Sequence, residues 1–426
     1  MATTLKNSVI IQEISPNIKV VGEMLNQYYS FALGLFITGG ARDEKKEDNG
    51  ITHFIEHMLF KGTNRRSALD IVRMIEGLGG SFDAFTTKES LVIVTRFLSE
   101  HLLKVFDLIC EILFESKFQS EEFQKEKGVI TEEIKSNNED PAEYIYDLLF
   151  EAVFKDHPMA LPIAGTIESV SNLELAHTQS YYTKLLSYQM TIAISGNFNL
   201  QDLITFAQKR FKPGRMEDLG RVPPGTYQPN HLFQTRKDIT QVHLCLGIPA
   251  VAYASALRHP LLIISTMLGG GMSSRLFQGL REEKGLVYDV HSFIDFYSDC
   301  GILGFYLSTD RKNLPEVTKQ IKNIFDDLQN KGFTTEEIEI AKTYITGNLL
   351  MGLENSTNRM LRLGREFSYL QKVTPVEETV RKINAISKEE INRLVGDYLA
   401  LNNYSVVAIG PIEEKSFQEI VNDLRE

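Results

Sequence analysis

The sequence predicts an α+β protein of two domains of like fold, joined by a segment rich in proline and glycine. Three observations carry that expectation. The first is an internal repeat. Residues 118–130, beginning at Phe118, are echoed from Phe333 at an offset of 215. The preceding helical stretches keep step, Phe106, Ile109, Cys110 and Leu113 matching Ile321, Ile324, Phe325 and Leu328. Near the end of each half an apolar run closes on glycine, at Gly196 and Gly410. One echo is within reach of coincidence between amphipathic helices; two at nearly one offset mark a duplicated unit. The second observation is the segment 213–230, which holds Pro213, Pro223, Pro224 and Pro229 with Gly214, Gly220 and Gly225. That composition reads as an extended linker. The third is the alternation in each half of strand-like runs, such as 30–37 and 91–97, with long amphipathic helices. The boundaries expected are a first domain over 1–212, a linker over 213–230 and a second domain over 231–426.

Length and composition fit. A chain of 426 residues exceeds one hydrophobic core. With 43% hydrophobic and 24% charged residues it is an ordinary globular protein. A net charge of −11 disfavours nucleic acid or an anionic membrane as partner. A cavity preferring basic peptides is one use of such charge; a solubility surface is the default. Cys110, Cys245 and Cys300 are odd in number, widely spaced and free of CxxC, which suggests reduced, buried thiols in a cytoplasmic setting. The first residues lack the basic and apolar regions of a secretory signal and the arginines of a mitochondrial presequence. No apolar run approaches the length of a membrane span.

The chemistry concentrates in His53-Phe54-Ile55-Glu56-His57. Histidines four apart on a helix project from one face, roughly 6 Å apart along the axis, and can close on one metal ion. Glu56 points the same way without needing to be a ligand. Nitrogen and oxygen donors with an open position suit catalytic zinc, and the HxxEH order is the inverzincin signature. Histidines on amphipathic helices are often merely solvated or core-filling, so a third ligand matters. Glu133 lies 76 positions beyond His57, on a helix where Glu126, seven residues earlier, shares its face. A solvated acidic face is the plainer reading of these acids, and Glu132 competes for the role. Glu133 is favoured because Glu126 can then orient the site from behind.

These residues, with the flanks Asn49-Gly50-Ile51-Thr52 and Met58-Leu59-Phe60-Lys61-Gly62-Thr63, resemble the pitrilysin/insulinase superfamily of zinc peptidases. Size and pattern are most similar to its mitochondrial-processing-peptidase-like branch, which has short bacterial members. The resemblance implies one Zn2+ per chain on His53, His57 and Glu133, Glu56 activating the water as general base, and two α/β-sandwich domains forming half of a clamshell. It also implies a homodimer enclosing a chamber and acting on oligopeptides or unfolded segments. A non-catalytic or partner-dependent subunit of a processing-peptidase-like heterodimer is the alternative.

At the repeat offset Glu126 maps to Ala341 and Glu133 to Asn348, while 263–268 offers neither histidine nor carboxylate opposite the histidine helix. Chemistry is therefore expected in one half only. The second half has the run 269–288, opening on three glycines. It matches neither GxxxxGK[ST] nor GxGxxG, so a close-packed turn is expected rather than a phosphate loop. By the same resemblance Arg281 and Tyr288 reach the substrate carbonyl, where a cation and a phenol stabilise an oxyanion. Their plainer reading is a helix-capping arginine and a packed tyrosine. Residues 79–86 resemble the family segment that adds the peptide as an extra strand, placing Asp83, Ala84 and Phe85 against substrate. Asp83 stands where the family usually has asparagine, which bears on fine specificity.

Overall fold

The computed structural model describes residues 9–211 and 217–425. The expectations for the first eight residues and for Pro213 and Gly214 lie outside them. The alternating apolar runs fold as strands: β1 (Val9–Ser15), β2 (Ile18–Met24), β3 (Ser30–Thr38), β4 (Ser81–Thr86), β5 (Ser90–Leu98) and β6 (Met190–Gly196). They form one sheet in the order β1-β2-β6-β3-β5-β4, antiparallel except for the β2–β6 pair. Further along come β7 (His231–Thr235), β8 (Gln241–Ala250), β9 (Asp289–Phe296), β10 (Gly301–Asp310) and β11 (Ser405–Gly410). These form a second sheet, β7-β11-β8-β10-β9, again with one parallel pair, β7–β11. From its parallel pair outward each sheet repeats the same five-strand plan, and β1 is the addition in the first. The matching strands β6 and β11 both end on a glycine with positive φ, 127° at Gly196 and 156° at Gly410, a conformation side chains avoid. The duplication read from the sequence is thus a duplication of topology.

The fold is α+β, with helices packed on the sheets. The inner face of the first sheet presents Leu33, Leu35, Ile93, Ile192 and Ile194. Against it lie apolar stripes of the helices Ile51–Leu59, Leu102–Glu115 and Ser120–Glu139. Each large side chain so buried contributes roughly 1.5–3 kcal/mol of transfer free energy. The second sheet packs likewise against Arg258–Gly269, Leu314–Lys331 and the carboxyl-terminal helix Glu414–Arg425.

Each sheet also has a second apolar face, and the way it is covered corrects the expected domain boundaries. Val21, Ala32, Phe36, Val92 and Ala193 of the first sheet are buried by Met360, Leu363 and Phe367 of the late helix Ser356–Leu370. Cys245, Ile302, Tyr306 and Val407 of the second sheet are buried by the early helix Pro141–Phe154. The compact units are therefore interleaved: Met1–Lys135, Leu161–Arg221 and Met351–Val373 in one, Ser136–Ala160, Val222–Leu350 and Thr374–Glu426 in the other. A sheet apolar on both faces needs a cover on both, and either half of the chain can supply it.

Residues 217–230 have no regular secondary structure, as their composition implies, but they are anchored. Arg221 holds Asp43 with Nε at 2.7 Å and Nη2 at 2.6 Å, and the Tyr227 hydroxyl donates to the Asn403 carbonyl at 2.9 Å. The three cysteines are buried free thiols. No helix among the described residues is long and apolar enough to cross a membrane.

Candidate active site

The helix Ile51–Leu59 is short and held hard at its start. Gly50 adopts φ 91°, and a Cβ there would press on the Ala164 carbonyl oxygen at 2.5 Å. The Glu44 carboxylate accepts from the backbone N–H of Gly50 (2.7 Å) and Thr52 (2.9 Å) and from Asn49 Nδ2 (3.0 Å). It thereby satisfies helix donors that have no partner within the helix. Burial, partly offset by these donors, leaves the Glu44 carboxyl raised to about 7. Ile51, Phe54, Ile55, Met58 and Leu59 enter the core. That packing turns His53, Glu56 and His57 together to the other side.

The helix Ser120–Glu139 buries Phe123, Ile130 and Ile134 and presents Glu126 and Glu133 to the histidines. His57 Nδ1 lies 3.1 Å from Glu126 Oε2, and Lys61 Nζ lies 2.6 Å from the other Glu126 oxygen. An Nδ1–H donated to Glu126 leaves the lone pair on Nε2, which lies 3.5 Å from Glu133 Oε2. His53 Nε2 is 3.6 Å from Glu133 Oε1, and the donor atoms of all three residues lie within 4.8 Å of one another. Zinc bonds of about 2.0–2.2 Å at tetrahedral angles put donor atoms roughly 3.3–3.5 Å apart, so the residues fit the ion. Burial, then the neighbouring His57, pushes His53 down to about 4, which keeps its imidazole in the neutral, ligating form. Its Nδ1 is buried without a hydrogen-bond partner among the described residues. Glu132 is mostly exposed and pairs with Lys135 at 2.7 Å, so Glu133 is the acid that meets the histidines. Glu126→Gln is expected to lower zinc affinity about 10–100-fold by loosening His57. Titration against a competing chelator checks this, with unchanged affinity counting against the orienting role.

Glu56 stands beside the triad. Thr86 Oγ1 donates to its Oε2 at 2.6 Å, leaving Oε1 available. Burial raises the Glu56 carboxyl, the Thr86 hydrogen bond and His57 oppose the rise, and Glu133 and Asp83 add to it. Thr86 closes β4, the last strand of its sheet, in which Asp83 and Phe85 face outward and Ala84 is half-buried. Asp83 Oδ1 accepts from the Ala84 N–H at 2.9 Å, a local bond that occupies one carboxylate oxygen.

Arg281 and Tyr288 belong to the second unit. Arg281 sits in a wide helical turn, Phe277–Glu282, exposed, with its guanidinium 5.1 Å from the Phe277 ring centre. Tyr288 is 53% exposed, and its hydroxyl donates to Asp310 Oδ1 at 3.2 Å; that bond raises its pKa. The glycine run is the close-packed turn expected: Gly269 ends a helix, and a Cβ there would meet the Ser292 nitrogen at 2.5 Å. The repeat-related positions are inert. Ala341 is buried in the second core, and Ile263, Ile264 and Leu268 pack there with it. Among the described residues, His53, His57 and Glu133 form the one group of three side chains able to hold a metal.

Three residues of the site carried no assigned role in the sequence. Lys61 and Thr86 stand inside the motif flanks, but nothing in their spacing announces the partners Glu126 and Glu56. Glu44 acts on a helix that starts seven residues later, across an irregular turn, and leaves no periodic signal.

Among the described residues a donor triad able to hold a metal, with a carboxylate beside it, occurs on the first of two like α+β units and not on the second, the plan of a duplicated fold with one candidate metal site. The chain belongs to the insulinase family of peptidases, M16. The family model "Insulinase (Peptidase family M16)" matches residues 19–167, and the "Peptidase M16 inactive domain" model matches 173–345. An uncharacterized zinc protease of Mycobacterium tuberculosis is 33% identical over 400 residues, 92% of this chain and 91% of its own. The uncharacterized zinc protease YmxG of Bacillus subtilis is 33% identical over 418 residues, 96% of this chain and 97% of its own. Among solved structures, an M16 inactive-domain protein from Pseudomonas fluorescens has the same fold, with a TM-score of 0.86 at 19% identity over 95% of this chain and 99% of that one. A Helicobacter pylori protease gives 0.85 at 17% identity, over 95% of this chain and 100% of that one.

Proposed function

We propose that the chain is a zinc-dependent endopeptidase that hydrolyses oligopeptides or unfolded segments, with Glu56 as its general base. The observation that carries this reading is the meeting of His53, His57 and Glu133 within 4.8 Å, beside a Glu56 held by Thr86. The relatives named zinc proteases support it. One zinc per chain would be held by the three donors. When bound, it supplies Lewis acidity that makes water nucleophilic near neutral pH.

The rest is done by the chain's own side chains. Glu56 Oε1 accepts the proton as water adds to the peptide carbonyl carbon. It then delivers that proton to the leaving nitrogen as the C–N bond breaks. Its raised pKa suits a group that must both take and return a proton. Glu126, braced by Lys61, holds the His57 ring in its ligating orientation. Among the described residues strand β4 has a neighbour on one side only, so its free edge takes the substrate backbone as an added strand beside Asp83, Ala84 and Phe85. Arg281 and Tyr288 supply the cation and phenol for the oxyanion. A cytoplasmic homodimer enclosing a chamber completes the reading.

Elemental analysis together with cleavage of a mixed fluorogenic peptide library tests it. One zinc per chain is expected, with cleavage lost on chelation and regained on adding zinc back. Zinc without cleavage would favour the partner-dependent or non-catalytic subunit, and a protein that takes up no zinc would overturn the proposal.

A further inference from the structure

The amino-terminal end of β4 opens into a cavity of about 610 Å3, lined among others by Tyr28, Tyr29, Gly80, Ser81, Arg96 and Glu354. It belongs wholly to the first unit and continues the edge of β4 away from Glu56. Gly80, beside the cavity, lets the chain lie close on β5: a side chain there would overlap the buried Phe97 ring. Its walls are set in advance. The Tyr28 hydroxyl donates to the Glu354 carbonyl at 3.0 Å, and the Ser99 hydroxyl donates to the Tyr29 carbonyl at 3.0 Å.

The informative group is Arg96. It lies on β5 directly opposite Ser81 and is exposed, and its guanidinium makes no hydrogen bond or ion pair among the described residues. Ser81 is short, so the route from Arg96 across β4 to anything lying along its free edge is open. Thr86 lies five positions beyond Ser81, roughly 17 Å at about 3.4 Å per residue. A strand added along β4 therefore passes Arg96 four to five residues from the bond held at Glu56.

We infer that this cavity reads a carboxylate on the substrate four to five residues from the bond cut, with Arg96 as the specificity-determining cation. The inference rests on the endopeptidase reading. A guanidinium suits the task because its planar fork matches a carboxylate with two parallel hydrogen bonds, and this one has no internal partner to give up. The carboxylate can belong to an Asp or Glu side chain or to the free end of a short peptide. Glu354 lines the same cavity with the opposite charge, so the sign of the preference decides which group is the reader.

The test is a series of quenched fluorescent peptides with a neutral core. Glu, Gln or Lys is scanned three to six residues from the cut bond on each side, each peptide made as free acid and as amide. Glu is expected to exceed Gln in kcat/KM by roughly 5-fold at one position, mostly through KM, with the advantage fading as salt screens it. Arg96→Gln should erase the advantage, and Arg96→Glu should reverse it in favour of Lys. Discrimination confined to the free acids would assign the carboxylate to the peptide end; discrimination in both series would assign it to a side chain. A Lys preference in the wild type, or a Glu preference surviving Arg96→Glu, overturns the inference while leaving the peptidase reading intact. No cleavage of any peptide by the zinc-loaded wild type overturns both.

Discussion

Glu56→Gln is expected to keep its zinc and to lose peptide hydrolysis by about 10²–10⁴-fold, nearly all of it in kcat. Glutamine has the same shape, and its amide oxygen still accepts from Thr86, so the side chain should stay where it is. The three groups that meet to form the metal site do not include Glu56, so zinc content has no reason to fall. What disappears is the proton acceptor at Oε1. Elemental zinc measured beside kcat on one peptide substrate separates the possibilities. Full zinc with near-wild-type kcat would remove Glu56 as the base, and a loss of zinc would make it a ligand instead.

The second large effect concerns the late helix Ser356–Leu370 that covers the first sheet, and is a contrast of two identical changes. Gly364→Ala is expected to destabilise the first unit by about 1–3 kcal/mol, the usual cost of overpacking. Gly128→Ala is expected to stabilise it by up to about 1 kcal/mol. Both glycines lie inside helices, Ser356–Leu370 and Ser120–Glu139. A Cβ at Gly128 would have nothing within 4 Å, so only the gain in helix propensity remains. A Cβ at Gly364 would overlap the ring of Phe36, which is 5% exposed in the sheet face this helix covers. The sheet side is equally close: a Cβ at Gly34 would overlap Met360. Thermal unfolding of the two variants should move the midpoint in opposite directions by several degrees. Equal shifts of one sign would mean that the helix does not pack on the sheet as described.

Much of this organisation was legible before any coordinates. Residues 30–37, 91–97, 191–196 and 405–410 fold as strands because period-two patterning and terminal glycines are local signals. Glu126 and Glu133 share a helix face because seven residues make two turns. Even the lack of a matching metal site in the second half could be read, from Ala341 and Asn348 standing where Glu126 and Glu133 stand in the first.

The boundary between the units was not legible, because the helices Pro141–Phe154 and Ser356–Leu370 carry ordinary apolar stripes that do not say which sheet they will cover. The same holds for Thr86, Lys61 and Glu44, whose partners Glu56, Glu126 and the Ile51–Leu59 helix start are brought to them only by folding. By itself the sequence determined the duplicated α+β plan, the helix that carries His53, Glu56 and His57, and the helix that carries the acids meeting them. Only the tertiary structure decided which helix closes which sheet and which neighbours tune Glu56 and His57. The first set depends on contacts within a turn or a strand, where side-chain period dictates the outcome. The second depends on packing between segments up to some three hundred residues apart, where many apolar surfaces would serve and shape alone selects one.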